Sequence, residues 1–150
     1  MQRGPGVDCI VDLHDIAMPT ESVGTILVLD TLEHVEYPRK ALAQIYRVLK
    51  PDGLTLITSV MNFPIHDYPA DYWRFTPEGF KSLLKDFSYY FVDGIGRDLF
   101  PHTVVGLAFK DLVPKDSLNE FTEEFTGWKE QWTKKSLRDW ILELAATFIN

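Results

Sequence analysis

The residues best suited to chemistry fall in two short stretches: Asp30, Glu33 and His34 within LDTLEHV, and His66, Asp71, Tyr72 and Arg74 within the aromatic-rich run from Asn62 to Phe75. Imidazoles exchange protons near neutral pH, so His34 and His66 are the candidate acid-base groups. Glu33 is placed to line a pocket, Asp71 to polarise a hydroxyl, Arg74 to grip an anion, and Tyr72 or Trp73 to stack on a flat ligand. Each also has a plainer reading. His34 can be a hydrogen-bonded structural group, Arg74 can pair with Asp67 or Asp71, and Trp73 and Phe75 can plug the core, the reading favoured for those two because aromatics pack more often than they recognise.

The elements that must position these groups read clearly around the first stretch. Thr25 to Leu29 is a short apolar, β-branched run that suits a strand buried on both faces of a parallel sheet. Pro38 fits a first helical position, and Ala41, Leu42, Ile45, Val48 and Leu49 recur at helical spacing. Arg47 and Lys50 oppose the negative end of the helix dipole, and Pro51-Asp52-Gly53 supplies a stop, with Gly expected at positive φ. Leu54 to Val60 resumes as a strand. The result is a right-handed βαβ unit, with Asp30 to Val35 just past a strand's carboxyl end, where open α/β sheets bind ligands.

The string LxxLEHVxxPxxALxxIxRVLKPxG, from Leu29 to Gly53, resembles the central part of the class I S-adenosylmethionine-dependent methyltransferases of the type 11-like group. Asp30 to Val35 corresponds to their fourth strand end and Arg47 to Gly53 to the turn before their fifth strand. Val7 to Asp12 then reads as a third strand ending in an acid. The resemblance implies a Rossmann-like α/β sheet, incomplete because only strands 3 to 7 are represented, and S-adenosylmethionine as cofactor. It places Asp12 and Leu13 at the adenine, with Asp15 as a second candidate acid, and Asp30 and Thr31 beside the cofactor. An ionised carboxylate only accepts, and adenine's amine donates. The alternative for Asp12 is a cap on its own turn, which the residue type alone would favour.

The family's Gly-rich loop, which follows its first strand, has no counterpart here. Gly4-Pro5-Gly6 precedes a strand instead of joining strand to helix. In the family order 3-2-1-4-5-7-6, absence of strands 1 and 2 exposes an edge of strand 4 and leaves strand 3 without a neighbour. An exposed edge invites pairing. Residues upstream of Met1, a partner chain or second copy completing the sheet, or a rearranged sheet would each cover it. A truncated domain is the favoured reading, because residues 1–6 hold no helix or strand start.

Asp30, Glu33, His34 and His66 also resemble the ligand set of metal-dependent 2′-O-methyltransferases acting on small RNA ends, and a divalent ion accepts such donors. Leu-Glu-His is common in members that use no metal, so no metal is expected. HxxPxDYWRFTPEGF, from His66 to Phe80, is similar to bacterial class I methyltransferases that include some associated with cell-surface glycans, which implies a small-molecule or sugar-like acceptor. Pro64 and Pro69 exclude regular structure ahead of Thr76, which reads as an N-cap with Pro77 at the first helical position. Phe80, Leu83, Leu84 and Phe87 are expected to face inward.

Ser88 to Val92 and Thr103 to Phe109 form the expected antiparallel pair, linked through Gly94, Gly96 and Pro101. Beyond Val113-Pro114 two amphipathic helices are expected, one through Leu118, Phe121, Phe125, Trp128 and Trp132, the other through Leu137, Trp140, Ile141, Leu144 and Phe148. The expected organisation is a truncated methyltransferase domain over 1–113 and a helical extension over 114–150, packed on that domain or on a partner.

Composition narrows the function. A chain of 150 residues, 45% hydrophobic, can bury roughly 70% of its unfolded surface. The net charge of -7, without a basic stripe, argues against nucleic acid as a partner. Cys9 alone precludes internal disulfides and is expected to be buried. No membrane span or signal peptide is seen, and a cytoplasmic protein is expected. Methyl transfer to an unidentified acceptor is the leading expectation. The rival is a non-catalytic binding or assembly module on the same scaffold.

Overall fold

The computed structural model describes residues 5–133, which divide between Val113 and Pro114 into two compact units. In the first unit β1 (Val23–Val28), α1 (Pro38–Val48), β2 (Leu49–Val60), α2 (Pro77–Leu84), β3 (Tyr89–Arg97) and β4 (Phe100–Phe109) follow in order. The sheet order is β1-β2-β4-β3, with β1 and β2 parallel and β4 antiparallel to both β2 and β3. That is the order the resemblance implies for the family's last four strands.

Pro38 opens α1, whose Ala41, Leu42, Ile45 and Val48 are buried, one apolar stripe laid on the sheet. Thr76 caps α2 by accepting from Gly79 N at 3.0 Å, with Pro77 following. Arg39 of α1 donates to Ser82 Oγ of α2 at 3.0 Å. Under α2, β4 offers Gly106, where a Cβ would lie 2.8 Å from Leu84 Cδ1 and 3.1 Å from Phe80 Cδ1. Glycine there lets the helix seat Phe80 and Leu84 against the sheet.

Several expectations are corrected. The helix ends at Val48, before Pro51, because β2 already begins at Leu49. Gly53 is not at positive φ. It is needed because a Cβ would lie 2.9 Å from Lys50 O and 3.0 Å from Gly24 O. Both obstacles are backbone, so Gly53→Ala is expected to cost roughly 1–3 kcal/mol by overpacking, read from the urea unfolding midpoint.

Strand β1 is not buried on both faces: Leu27 is 60% exposed, and among the described residues β1 is an outer strand paired with β2 alone. Residues 7–11 form no strand, since a strand needs a pairing neighbour and none of the described residues supplies one. Cys9 is accordingly exposed. Gly94, Gly96 and Pro101 lie within the strands of the hairpin, whose turn is tighter than expected.

The second unit contains α3 (Lys115–Thr133), with Phe121 and Phe125 stacked at 5.9 Å. The second expected helix, from Leu137 to Phe148, lies outside the described residues. No helix among the described residues is long and apolar enough to cross a membrane.

Candidate active site

At the carboxyl end of β1 the chain leaves the sheet through Asp30, which adopts φ +43, a left-handed conformation that Asp tolerates better than most residues. Thr58 fixes the departure: its Oγ1 accepts from Asp30 N and donates to Asp30 Oδ1, each at 2.9 Å. A 3-10 turn over Leu32–His34 follows. It turns Glu33 inward, where the side chain is 1% exposed and its Oε2 accepts from Ser59 Oγ at 2.5 Å.

That turn grips the aromatic loop. Glu33 O accepts from Tyr72 N at 2.9 Å and Trp73 N at 3.2 Å, His34 Nδ1 donates to Ala70 O at 2.7 Å, and Trp73 Nε1 donates to Val35 O at 3.0 Å. Within the loop Asp71 and Arg74 form a two-pronged pair at 2.5 and 2.8 Å. The remaining Arg74 donors go to the carbonyls of Phe63, Pro64 and Trp73. Asp71 also accepts from His66 N at 2.8 Å.

The Asp71 side chain is 1% exposed, and the Arg74 guanidinium, then the His66 N-H, hold its carboxyl well below the usual carboxylate range. A depressed value stabilises the fold above the unfolded aspartate value of about 3.9 and is lost as pH falls through the lower folded value. Asp71→Asn is therefore expected to unfold at lower urea than the parent at pH 7. The two midpoints should converge as the pH is taken toward 2.

The segment carrying Asp12 is tied to α1 by Arg47, which donates to Ile16 O at 2.7 Å and Met18 O at 2.9 Å. Asp12 Oδ1 accepts from both His14 N and His14 Nδ1 at 2.8 Å, and these bonds, the backbone one foremost, lower its carboxyl from the ordinary value. The carboxylate is nonetheless 68% exposed. His14 Nε2 accepts from Tyr37 N at 3.2 Å, which fixes the Nδ1-H tautomer.

Between this segment and the end of β1 lies a cavity of about 300 Å³, lined by Val11 to His14, Ile26 to Val28, Thr31, His34 and Val35. Its walls are mostly apolar with a few convergent polar groups, as ligand sites are.

Of the candidates named from sequence, Asp12, Leu13, Thr31 and His34 meet at this cavity. Asp30 does not line it and is bound to Thr58. His34 and His66 come together edge to face, ring centroids 4.7 Å apart. Asp71 and Arg74 spend their polar atoms on each other and on the loop backbone, so the ion-pair reading of Arg74 is the one realised. Phe75 is buried, but Trp73 is 43% exposed, a correction to its expected place in the core: its indole N-H is tied to Val35 O and its ring only tilts against Phe75, with centroids 6.4 Å apart. Tyr72 is 46% exposed.

Sequence reasoning missed His14, Thr58 and Ser59. The signals were present as Asp-Leu-His and as a Thr-Ser pair near the end of an otherwise apolar strand.

Residues 2–57 match the family described as a methyltransferase domain. Among solved structures, the chain is similar to a chain of the complex between the Haloferax volcanii Trm112 methyltransferase activator and a methyltransferase, at 14% identity and a TM-score of 0.54, covering 70% of this chain and 61% of that one. It is similar to a Thermotoga maritima SAM-dependent methyltransferase, at 17% identity and a TM-score of 0.55, covering 66% and 61%. A third likeness is to Haemonchus contortus phosphoethanolamine N-methyltransferase 2, solved with phosphomonomethylethanolamine and S-adenosylhomocysteine, at 16% identity and a TM-score of 0.55, covering 67% and 36%. The chain thus spans less than two thirds of these structures' own length. No curated protein matches it.

Proposed function

We propose, from the premise that this chain has the class I methyltransferase fold and matches the methyltransferase-domain family over residues 2–57, that it binds S-adenosylmethionine and serves methyl transfer to a small-molecule acceptor. The observation that carries this reading is the cavity beyond the carboxyl end of β1, where Asp12, Leu13, Thr31 and His34 converge.

Its size and lining fit an adenosine group. Asp12 keeps Oδ2 for the exocyclic amine while His14 holds Oδ1. Leu13 and Ile26 to Val28 supply the apolar walls for the ring, and Thr31, whose hydroxyl donates to Leu29 O at 2.8 Å, leaves an oxygen lone pair to accept from the ribose. When bound, S-adenosylmethionine supplies an electrophilic methyl carbon on a sulfonium.

The chain's own part is to position the acceptor nucleophile in line with that carbon and to take its proton. His34 and His66, whose Nδ1 atoms are engaged by carbonyls, offer Nε2 for the proton. The exposed Tyr72 lies on the loop that the 3-10 turn holds against them.

The rival, a non-catalytic assembly module, is favoured by one observation, the exposed apolar side chains of Leu27 on the outer strand β1 and of Leu29 just past its end. Calorimetry of the chain with S-adenosylmethionine separates the two. One-to-one binding is expected, weakened by about 10-fold or more in Asp12→Ala through loss of a charge-assisted hydrogen bond. A folded chain that binds none overturns the cofactor reading.

A further inference from the structure

We propose that the acceptor is an uncharged aromatic alcohol, a phenol in the broad sense, held on a row of rings that runs from His34 through His66 and Phe63 to His102. The proposal rests on the methyl-transfer reading above and names its substrate class.

The four rings come from the 3-10 turn, the aromatic loop and β4, and they meet edge to face. Successive centroids are 4.7, 5.0 and 5.5 Å apart, with planes crossed at 79°, 88° and 80°. Crossed rings satisfy one another's quadrupoles, and a further flat ring laid beside them finds the same preferred geometry. The row begins at the adenosine cavity, whose wall includes His34.

The backbone under the row is fixed before any ligand arrives. His102 O accepts from Met61 N at 2.9 Å and from Asn62 N at 3.3 Å, which ties the start of the loop to β4. Arg74 then holds the next two carbonyls, Phe63 O at 3.0 Å and Pro64 O at 2.8 Å. A ring seated in this way needs little ordering when a ligand binds. Phe63 is nonetheless 42% exposed, so an anchored aromatic side chain stays open to solvent beside His66.

The polar groups narrow the class. All five N-H donors of Arg74 are engaged, by Asp71 and by the carbonyls of Phe63, Pro64 and Trp73. The guanidinium has no fork left for a phosphate or a carboxylate. Charge opposes an anion as well, because Arg74 faces both Asp71 and Glu33, one cation against two carboxylates. A sugar fits no better. Each of its hydroxyls leaves water on binding and needs a partner, and Asp71 is 1% exposed and already accepts from Arg74 and His66. What the loop still offers is ring surface and an imidazole Nε2 for a single hydroxyl.

The test is titration of the full ¹⁵N-labelled chain with p-cresol, followed by the amide shifts of Phe63, His66 and His102. The anion p-toluate and methyl glucoside serve as counterparts. Saturable p-cresol binding is expected, tighter than either counterpart by about 5-fold or more. Phe63→Leu, which keeps apolar bulk but loses the ring, should weaken p-cresol by about 5-fold or more, whereas Phe63→Tyr should hold it within about 2-fold. Phe63 lies partly in solvent, so both replacements spare the core, and the far-ultraviolet circular dichroism of each variant is compared with the parent.

Absence of saturable p-cresol binding by the folded chain overturns the proposal. So does equal or tighter binding of p-toluate or methyl glucoside, or full affinity in Phe63→Leu. S-adenosylhomocysteine should bind the parent and Phe63→Leu alike in calorimetry, since Phe63 does not line the cavity. A fall there would place Phe63 in the cofactor site and overturn the assignment. Loss of p-cresol binding with S-adenosylhomocysteine still bound removes the acceptor class alone, and the converse removes the cofactor reading alone.

Discussion

Phe80→Ala is expected to lower the stability of the chain by about 4 kcal/mol, the typical cost of deleting a fully buried phenyl ring. Phe80 is 1% exposed. Its ring packs edge to face on Phe75, with centroids 5.3 Å apart, and it sits where Gly106 leaves room for it. Neither neighbour can collapse into the void: Gly106 has no side chain, and Phe75 is fixed by its N-H to Val60 O at 3.1 Å. A domain's whole stability is typically about 5–15 kcal/mol, so this single change removes a large share of it. Urea unfolding should show a lower midpoint with an unchanged slope, the mark of lost packing without a change in the surface exposed on unfolding. A midpoint that barely moves would show that α2 is not seated on β4 as described.

Leu27→Trp is expected to do the opposite, sparing stability and weakening cofactor binding. Leu27 is 60% exposed, and its strand carries no pairing on its outer side among the described residues. Substitutions at such positions usually change stability by within about 0.5 kcal/mol. Yet Leu27 lines the cavity of about 300 Å³, and an indole there fills space that an adenine ring needs. Loss of even about 1.4 kcal/mol of contact is tenfold in affinity, so S-adenosylmethionine should bind at least about tenfold more weakly in calorimetry. Unaltered affinity would remove the cavity from the account.

What the residues disclosed in advance follows the range of the forces involved. Pro38 and the stripe from Ala41 to Val48 are local signals, and so is Thr76 ahead of Pro77. In each case the structure realises the helix start. The hairpin of β3 and β4 was legible for the same reason, though its strands run further than the aromatic runs suggested.

Three misreadings are non-local. Val7 to Val11 has strand composition, but a strand exists only through a partner, and none of the described residues provides one. Gly53 was read as a turn glycine, whereas the approach of Lys50 O and Gly24 O decides its identity. The site depends on the same kind of contact. Ser59 reaches Glu33 from 26 residues away, and His34 reaches Ala70 across 36. Residue types proposed which groups could do chemistry. Only the parallel register of β1 on β2 brings Asp30 to Thr58 and Glu33 to Ser59.

The central claim is that the adenosine group binds at the end of β1, against Asp12 and Leu13. Titrating the ¹⁵N-labelled chain with S-adenosylhomocysteine, which has no methyl group to transfer, tests it most directly by nuclear magnetic resonance. The largest amide shifts are predicted at Asp12 to His14, Ile26 to Val28, Thr31 and His34. An unchanged spectrum at saturating ligand, or shifts confined to β3, would contradict the account.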